Sequence, residues 1–149
     1  RGFGARELSF VLYRSKARTS ASPADVSDIV TTSLHLNARE GLTGFLHFDR
    51  GFLLQYLEGP PGPLARKIAR IHKDRRHDEF TILADGDIDE WFFPDWDMGQ
   101  ISKDLLPTDG PLATHSWLLP VDSIDPLPLI EAFAAHAGRL QGAAIEQVD

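Results

Sequence analysis

Cysteine is absent from the 149-residue chain, which excludes disulfides, thiolate metal sites and cysteine nucleophiles. Its absence agrees with a reducing compartment, so we expect a cytoplasmic protein. The chain also lacks an apolar run of the roughly 20 residues that a membrane-spanning helix needs. Its first residues, RGFG, do not begin the apolar stretch of a signal peptide. We therefore expect no association with a membrane.

Basic residues are fewer than acidic ones: the chain has 15 Lys and Arg and 22 Asp and Glu, which gives a formal net charge of −7. This sign disfavours direct binding to nucleic acid, whose phosphates attract basic surfaces. Hydrophobic residues make up 42% of the chain and charged residues 25%, a balance typical of a folded domain. The length suits one such domain.

Several motifs of catalysis are missing as well. The glycine patterns of dinucleotide and P-loop sites and the GxSxG pattern of serine hydrolases do not occur. The segment that starts at Asp85 resembles a calcium loop, but Glu90 and Trp96 stand where Gly and Glu are needed, which predicts a solvated turn. His72 and His77 have no obvious third ligand, so we expect no metal site.

Apolar periodicity predicts five strands and two helices before residue 102. The strands lie at 7–13, 42–48, 52–58, 80–83 and 91–101. The helices lie at 23–36 and 64–73. Gly51 joins the second and third strands as a hairpin, Gly41 ends the first helix, and Pro94 interrupts the last strand.

The resulting order βαββαββ is that of a ferredoxin-like α+β sheet with an additional strand and both helices on one face. Because several strands are apolar on both faces, the other face also needs a cover. Pro126–Leu140 has apolar residues at helical spacing, and we expect this C-terminal helix, or else a second copy of the chain, to provide it. We therefore predict one domain at 1–101, with 102–149 as a connector and helical cap rather than an independent domain.

Six positive charges fall within eleven residues of this acidic chain. Two interpretations remain open: a solvated helix face, or a site where one or two of these side chains neutralise the phosphates of an anionic ligand. The six residues are Arg66, Lys67, Arg70, Lys73, Arg75 and Arg76.

Gln55 is an amide between two leucines on one face of an otherwise apolar strand. A buried amide that finds no partner costs roughly 1–3 kcal/mol. Gln55 therefore either makes a cross-strand hydrogen bond in the core or lines a pocket in which Tyr13 is available to bond it. Asn37 is ambiguous in the same way, as a helix cap or a ligand contact. Trp96 and Met98 share one side of the last strand, where core packing is the ordinary explanation.

Taken in order, these residues resemble the BLUF family of blue-light sensors that use FAD, over about residues 7–101. The family's βαββαββ fold agrees with the order predicted from periodicity. Six motifs at the family's spacing carry the resemblance. They are Tyr13-x-Ser15, Ser33-x-x-x-Asn37, Gly41-Leu42-Thr43-Gly44, Phe52-Leu53-Leu54-Gln55-x-Leu57-Glu58-Gly59, Asp74-x-Arg76-His77 and Phe93-Pro94-Asp95-Trp96-x-Met98-Gly99.

The resemblance implies a role for each matching residue. Tyr13 matches the tyrosine that gives an electron and then a proton toward the excited flavin, and Gln55 matches the glutamine that bridges this phenol to the ring. Asn37 matches the asparagine that bonds the polar edge of the ring, and Ser15 a position that supports the tyrosine. The last-strand pair associated with signalling is matched by Trp96 and Met98. The positions near the ribityl and phosphate part of FAD are matched by Arg70, Asp74, Arg76 and His77.

The sequence departs from the family's pattern at two places. Leu36 stands where many members carry Asn or His, which implies that one ring contact is absent and that flavin affinity or dark recovery is altered. Trp91 and Phe92 occupy a place that often holds Arg. Neither departure touches Tyr13 or Gln55.

The function implied is blue-light sensing by non-covalently bound FAD without enzymatic output, because the 48 residues after residue 101 are too few for an ordinary catalytic domain. We expect the signal to pass to a separate, unidentified protein or through a homo-oligomer, a dimer or larger. The alternative is a light-blind ferredoxin-like interaction module that has lost the cofactor. An acylphosphatase-like enzyme is disfavoured, since no phosphate-cradling loop is present.

Overall fold

The computed structural model describes residues 7–17, 28, 37–49, 51–74, 77–93, 99–101, 117–118 and 120–141. The strands are β1 (Leu8–Ala17), β2 (Thr43–Asp49), β3 (Phe52–Gly59), β4 (His77–Ile88) and β5 (Gly99–Ile101). The helices are α1 (Pro61–His72) and α2 (Pro126–Gln141), with a 3-10 turn at Val121–Ser123. No helix in these ranges is long and apolar enough to cross a membrane.

The strands form one sheet in the order β4-β1-β3-β2-β5. The pairs β1–β3, β1–β4 and β2–β3 are antiparallel, whereas β2 and β5 are parallel. This topology confirms the α+β, ferredoxin-like prediction. Of the first helix predicted at 23–36, the described part of the chain includes only Asp28, which is helical.

The helical segment that precedes β2 ends later than predicted. Residues 37–40 are helical, so Asn37 lies within the last turn rather than beyond it. The N–H of Leu42 donates to the carbonyl of Asn37 at 2.9 Å, and Gly41 adopts a φ of +73°, the left-handed conformation that glycine tolerates at a helix end. The chain thereby turns directly into β2.

The β2–β3 hairpin forms where it was predicted, and Gly51 takes a φ of +85° in its turn. Gly44 is required on packing grounds, because a Cβ at this position would lie 1.9 Å from the carbonyl oxygen of Tyr56. After β3, α1 starts at Pro61 rather than at residue 64, since proline suits the first turn of a helix.

The prediction was least accurate for β1, β4 and β5. β1 continues to Ala17, and β4 runs over twelve residues rather than four. Asp85 and Asp87 therefore lie in a strand, opposite Val11 and Ser9, and the predicted solvated turn is wrong. Pairing with β1 overrides the turn-forming composition of this segment. Within the predicted strand 91–101, Gly99–Ile101 form a strand and 91–93 are irregular, while 94–98 lie outside the described residues.

Two buried clusters cover the two faces of the sheet, which we name the α1 face and the α2 face after the helix on each. The α1 face is mainly aliphatic, and the α2 face is mainly aromatic. The prediction of a C-terminal helix on the far face is thus confirmed, with Leu129, Ile130 and Phe133 in the α2-face core. The α1-face cluster consists of Val11, Tyr13, Leu42, Leu46, Leu53, Leu57 and Leu64.

Candidate functional site

Tyr13 and Gln55 meet on the α1 face. They are direct cross-strand partners in β1 and β3, and the hydroxyl of Tyr13 donates a hydrogen bond to Oε1 of Gln55. Both side chains are buried. Burial, and secondarily the negative charge of Asp74, raises the pKa of the Tyr13 phenol far above its ordinary value. The phenol is therefore a neutral hydrogen-bond donor at physiological pH.

Aromatic rings hold Tyr13 from the side of β4. The rings of Tyr13 and Phe80 lie 4.8 Å apart between centroids, and His72, in the last turn of α1, stacks on Phe80 at 4.7 Å. On the other side, Leu46 of β2 pairs with Gln55. The phenol and the amide thus occupy a site that four strands and α1 define together.

Ser15 is the next residue along β1 that points to the same face. Its hydroxyl oxygen is completely buried and has no hydrogen-bond partner among the described residues. The register between β1 and β4 shifts beside it, between Arg14 and Lys16, and Glu79 in this bulge has a φ of +52°. A buried hydroxyl without a partner costs about 1–3 kcal/mol, so this site suits a ligand that offers a polar atom to Ser15.

Asn37 is also completely buried, and it lies within the last helical turn rather than at the cap position beyond it. Asp74 is partly buried and close enough to influence the Tyr13 phenol. His77 is described only through its backbone, as the first residue of β4. Three predicted site residues, Arg76, Trp96 and Met98, lie outside the described residues.

The basic segment contains two kinds of side chain. Arg70 is about half exposed and forms an ion pair with Glu40, with 3.2 Å between Nη2 and Oε1. Lys67 is instead buried, so a solvated helix face is the wrong description of that residue. Burial, and then the charge of Arg70, lowers the pKa of Lys67 to about 8, against a smaller opposing effect of Glu40.

Sequence reasoning did not single out Lys67, although a signal was present. Lys67 lies three residues after Leu64 and four before Ile71, on the apolar stripe of α1. A lysine in that stripe must either extend its amine to water or find an anion. Within the described parts of the chain, no group of three or more candidate ligands could hold a metal ion.

Comparison with known proteins assigns the family. The family described as "Sensors of blue-light using FAD" matches residues 8–99, which is more than half of the chain. The chain belongs to this BLUF family, and the resemblance stated from the motifs is confirmed. FAD is the cofactor by which the family is defined.

Similar proteins include both larger and equally short chains. Photoactivated adenylate cyclase subunit beta of Euglena gracilis is 31% identical over 110 residues, which cover 73% of this chain and 13% of that protein. The chain thus spans a small part of the curated relatives it matches. The dark-state structure of the BLUF protein BlrB is 27% identical with a TM-score of 0.67, covering 95% of this chain and 99% of BlrB. Klebsiella pneumoniae BlrP1, solved with FMN and cyclic diGMP, is 29% identical with a TM-score of 0.67, covering 89% of this chain and 36% of BlrP1.

Proposed function

We propose that the chain senses blue light through a non-covalently bound FAD and that Tyr13 and Gln55 form its switch. The hydrogen bond between these two buried side chains carries the proposal. FAD, when bound, supplies the absorption of blue light and a ring that accepts an electron. The buried Ser15 hydroxyl without a partner supports a polar ligand beside this pair.

The residues present fit such a ligand. Gln55 and Asn37 are amides with both donor and acceptor atoms, which suits the polar edge of a flavin ring. Lys67 and Arg70 add positive charge on α1, which suits the phosphates, and releasing Arg70 from Glu40 would make it available to them. Binding roles for Asp74, Arg76 and His77 remain proposals on the strength of the family's motif.

The switch itself uses two properties of the pair. The raised pKa of Tyr13 keeps the proton on the phenol until the phenol ring also gives up an electron, which a bound FAD would accept, and Oε1 of Gln55 is already in place to receive that proton. The electron and a proton later return to Tyr13, so the net change is confined to the amide. Rotation or tautomerisation of the amide then exchanges a donor for an acceptor with almost no change in volume. The light signal is thereby stored as a hydrogen-bond pattern.

For the output, we propose a sensor without catalysis of its own. The signal passes through Trp96 and Met98 and the C-terminal helix to a partner protein or within a homo-oligomer. The adenylate cyclase relatives are consistent with a sensor that controls another catalytic unit, since each is far longer than the region matched here. In this proposal, residues 102–149 transmit the signal and do not form a separate domain.

The test is the reversible red shift of flavin absorption after blue light in Tyr13→Phe and Gln55→Leu. Both substitutions retain the approximate volume but remove the phenol or the amide, so we expect yellow protein without the red shift. Tyr56→Phe is the matched control, because it removes the hydroxyl of another completely buried tyrosine, on the α2 face, and should keep the shift.

A normal red shift in Gln55→Leu would contradict the switch. A colourless wild-type protein under conditions that supply FAD would contradict the sensor function as well and would favour the light-blind interaction module.

A further inference from the structure

Glu58 is a completely buried carboxylate that the proposed switch does not use. It lies on the α2 face of β3, three residues after Gln55, and it accepts four hydrogen bonds. Oε1 accepts from the Tyr56 hydroxyl at 2.9 Å and from the N–H of Phe92 at 2.8 Å. Oε2 accepts from the Thr43 hydroxyl at 2.9 Å and from the N–H of Phe93 at 2.6 Å. Each oxygen thus binds one hydroxyl and one backbone amide.

The two backbone amides belong to an irregular segment. Residues 91–93 follow the end of β4 at Ile88 and precede β5, which starts at Gly99. Outside a strand, successive N–H groups have no ladder to join, and a buried N–H must be paired elsewhere. Glu58 provides that pairing and attaches this segment to β3, the strand that carries Gln55.

The attached segment continues into the aromatic core. The Phe93 ring is buried and lies 5.2 Å from both Tyr56 and Phe45, and Phe45 stacks on Phe133 of α2 at 4.4 Å. Groups in direct contact therefore connect Glu58 of β3 to α2. Glu58 is the hydrogen-bonded joint in this series.

We propose that Glu58 is a positioning residue that couples the Gln55 strand to the C-terminal helix by holding residues 91–93 on β3. This inference rests on the proposed function, because it assigns a route by which the switch reaches the output helix. Glu58 and Gln55 belong to opposite faces of β3, so Glu58 acts on transmission and not on the photochemistry.

Glu58→Gln is the sharpest variant, since the amide has nearly the same shape but only one acceptor oxygen. The hydroxyls of Thr43 and Tyr56 can turn to accept hydrogen bonds from an NH2 group. The N–H groups of Phe92 and Phe93 cannot, so one of them loses its partner. Tyr56→Phe is the matched control, because it removes one donor from the same carboxylate and leaves both backbone amides bonded.

The experiment compares the FAD-loaded 149-residue chain as wild type, Glu58→Gln and Tyr56→Phe. The two measurements are the red shift and the difference in hydrogen exchange between lit and dark protein over residues 126–141. For Glu58→Gln we expect a normal red shift but an exchange difference reduced about threefold or more, within the range by which single residues alter coupling. Tyr56→Phe should keep both the red shift and the exchange difference of the wild type.

In folded protein, three results would overturn the proposal. Glu58→Gln could keep the full exchange difference of the wild type, Glu58→Gln could lose the red shift, or Tyr56→Phe could lose as much of the exchange difference as Glu58→Gln. Failure of the proposed function is distinguishable, because the red shift would then be absent from wild type. If Glu58→Gln does not fold, Glu58→Asp is the second variant, because it keeps the carboxylate but places it one methylene farther from the N–H groups of Phe92 and Phe93. It should likewise give a normal red shift with a reduced exchange difference. If neither variant folds, Glu58 serves the fold and the coupling proposal is wrong.

Discussion

The α1 and α2 faces of the sheet both bury apolar side chains but treat polar atoms differently. On the α1 face, Tyr13, Gln55 and Ser15 lie among aliphatic residues, and the Ser15 hydroxyl has no hydrogen-bond partner in the described structure. On the α2 face, Glu58 lies beside stacked rings, and both of its oxygens accept two hydrogen bonds.

This difference matches two requirements of a signalling domain. An amide and a phenol in an aliphatic setting can exchange one hydrogen-bond pattern for another at little steric cost. A densely packed aromatic layer is poorly compressible and passes a displacement on. The comparison therefore predicts that substitutions on the α1 face alter light response or ligand binding, whereas those on the α2 face alter stability and transmission.

Phe133→Ala should have the largest effect on stability. Phe133 is completely buried in α2 and stacks on Phe45, so its truncation should lower the free energy of unfolding by about 3–5 kcal/mol. Urea unfolding measures this loss. Leu127→Ala is the control in the same helix, because Leu127 is 52% exposed and its loss should cost about 0.5 kcal/mol or less. If Phe133→Ala instead abolished the red shift of the folded protein, the division between the faces would be wrong.

Lys67 predicts a pH dependence on the α1 side. Its pKa in the fold, about 8, is below its ordinary value of 10.5, so between these values the unfolded chain binds more protons. The free energy of unfolding of FAD-free wild type, relative to Lys67→Met, should therefore rise by up to about 3 kcal/mol from pH 8 to 10.5. Denaturant titrations across this range measure the difference.

Lys73→Met, at the exposed residue that follows α1, controls for the loss of one positive charge. If the free energies of unfolding of wild type and Lys67→Met differed by a constant amount from pH 8 to 10.5, the prediction would be wrong. That result would show that the amine of Lys67 reaches water.

Ser15→Ala should have opposite effects on stability and on ligand binding. Because its buried hydroxyl has no partner in the described structure, its removal should raise the free energy of unfolding of the FAD-free protein by about 1–3 kcal/mol. The free energy of FAD binding should become less favourable by the contribution of one hydrogen bond, about 0.5–1.5 kcal/mol. Titration of FAD measures the affinity, and Ser9→Ala, on the same face of β1, is the control. Unchanged affinity would place Ser15 outside the ligand site.

The sequence could predict the elements of the site because short-range rules govern them. The alternation of side chains along a strand predicted the face of β3 on which Gln55 lies, and the hairpin turn at Gly51 predicted that β2 is its neighbour. Strands that are apolar on both faces predicted a cover on the second face, which α2 provides. The pairing of Tyr13 with Gln55 followed from the order of elements and the family's motifs together.

The residues that could not be predicted depend on contacts between distant segments. Asp85 is strand rather than turn because β1 pairs with it, and this long-range pairing leaves no trace in local composition. Glu58, just before a glycine and two prolines, looks like a solvated strand end. Its burial depends on residues 92 and 93, more than thirty positions later. Lys67 was hidden among other cations, of which Arg66, Arg70 and Lys73 are exposed.

The two outer strands of the described sheet also bear on aggregation. An exposed strand edge is a template on which a second chain can add its own strand. Here one edge is β4, where two register shifts bend the backbone and Asp85 and Asp87 place negative charge, and the other is β5, only three residues long. Both edges carry the features by which natural sheets resist unwanted growth. Copies of this chain at high concentration should therefore associate through side-chain surfaces and not by extending the sheet into a fibre.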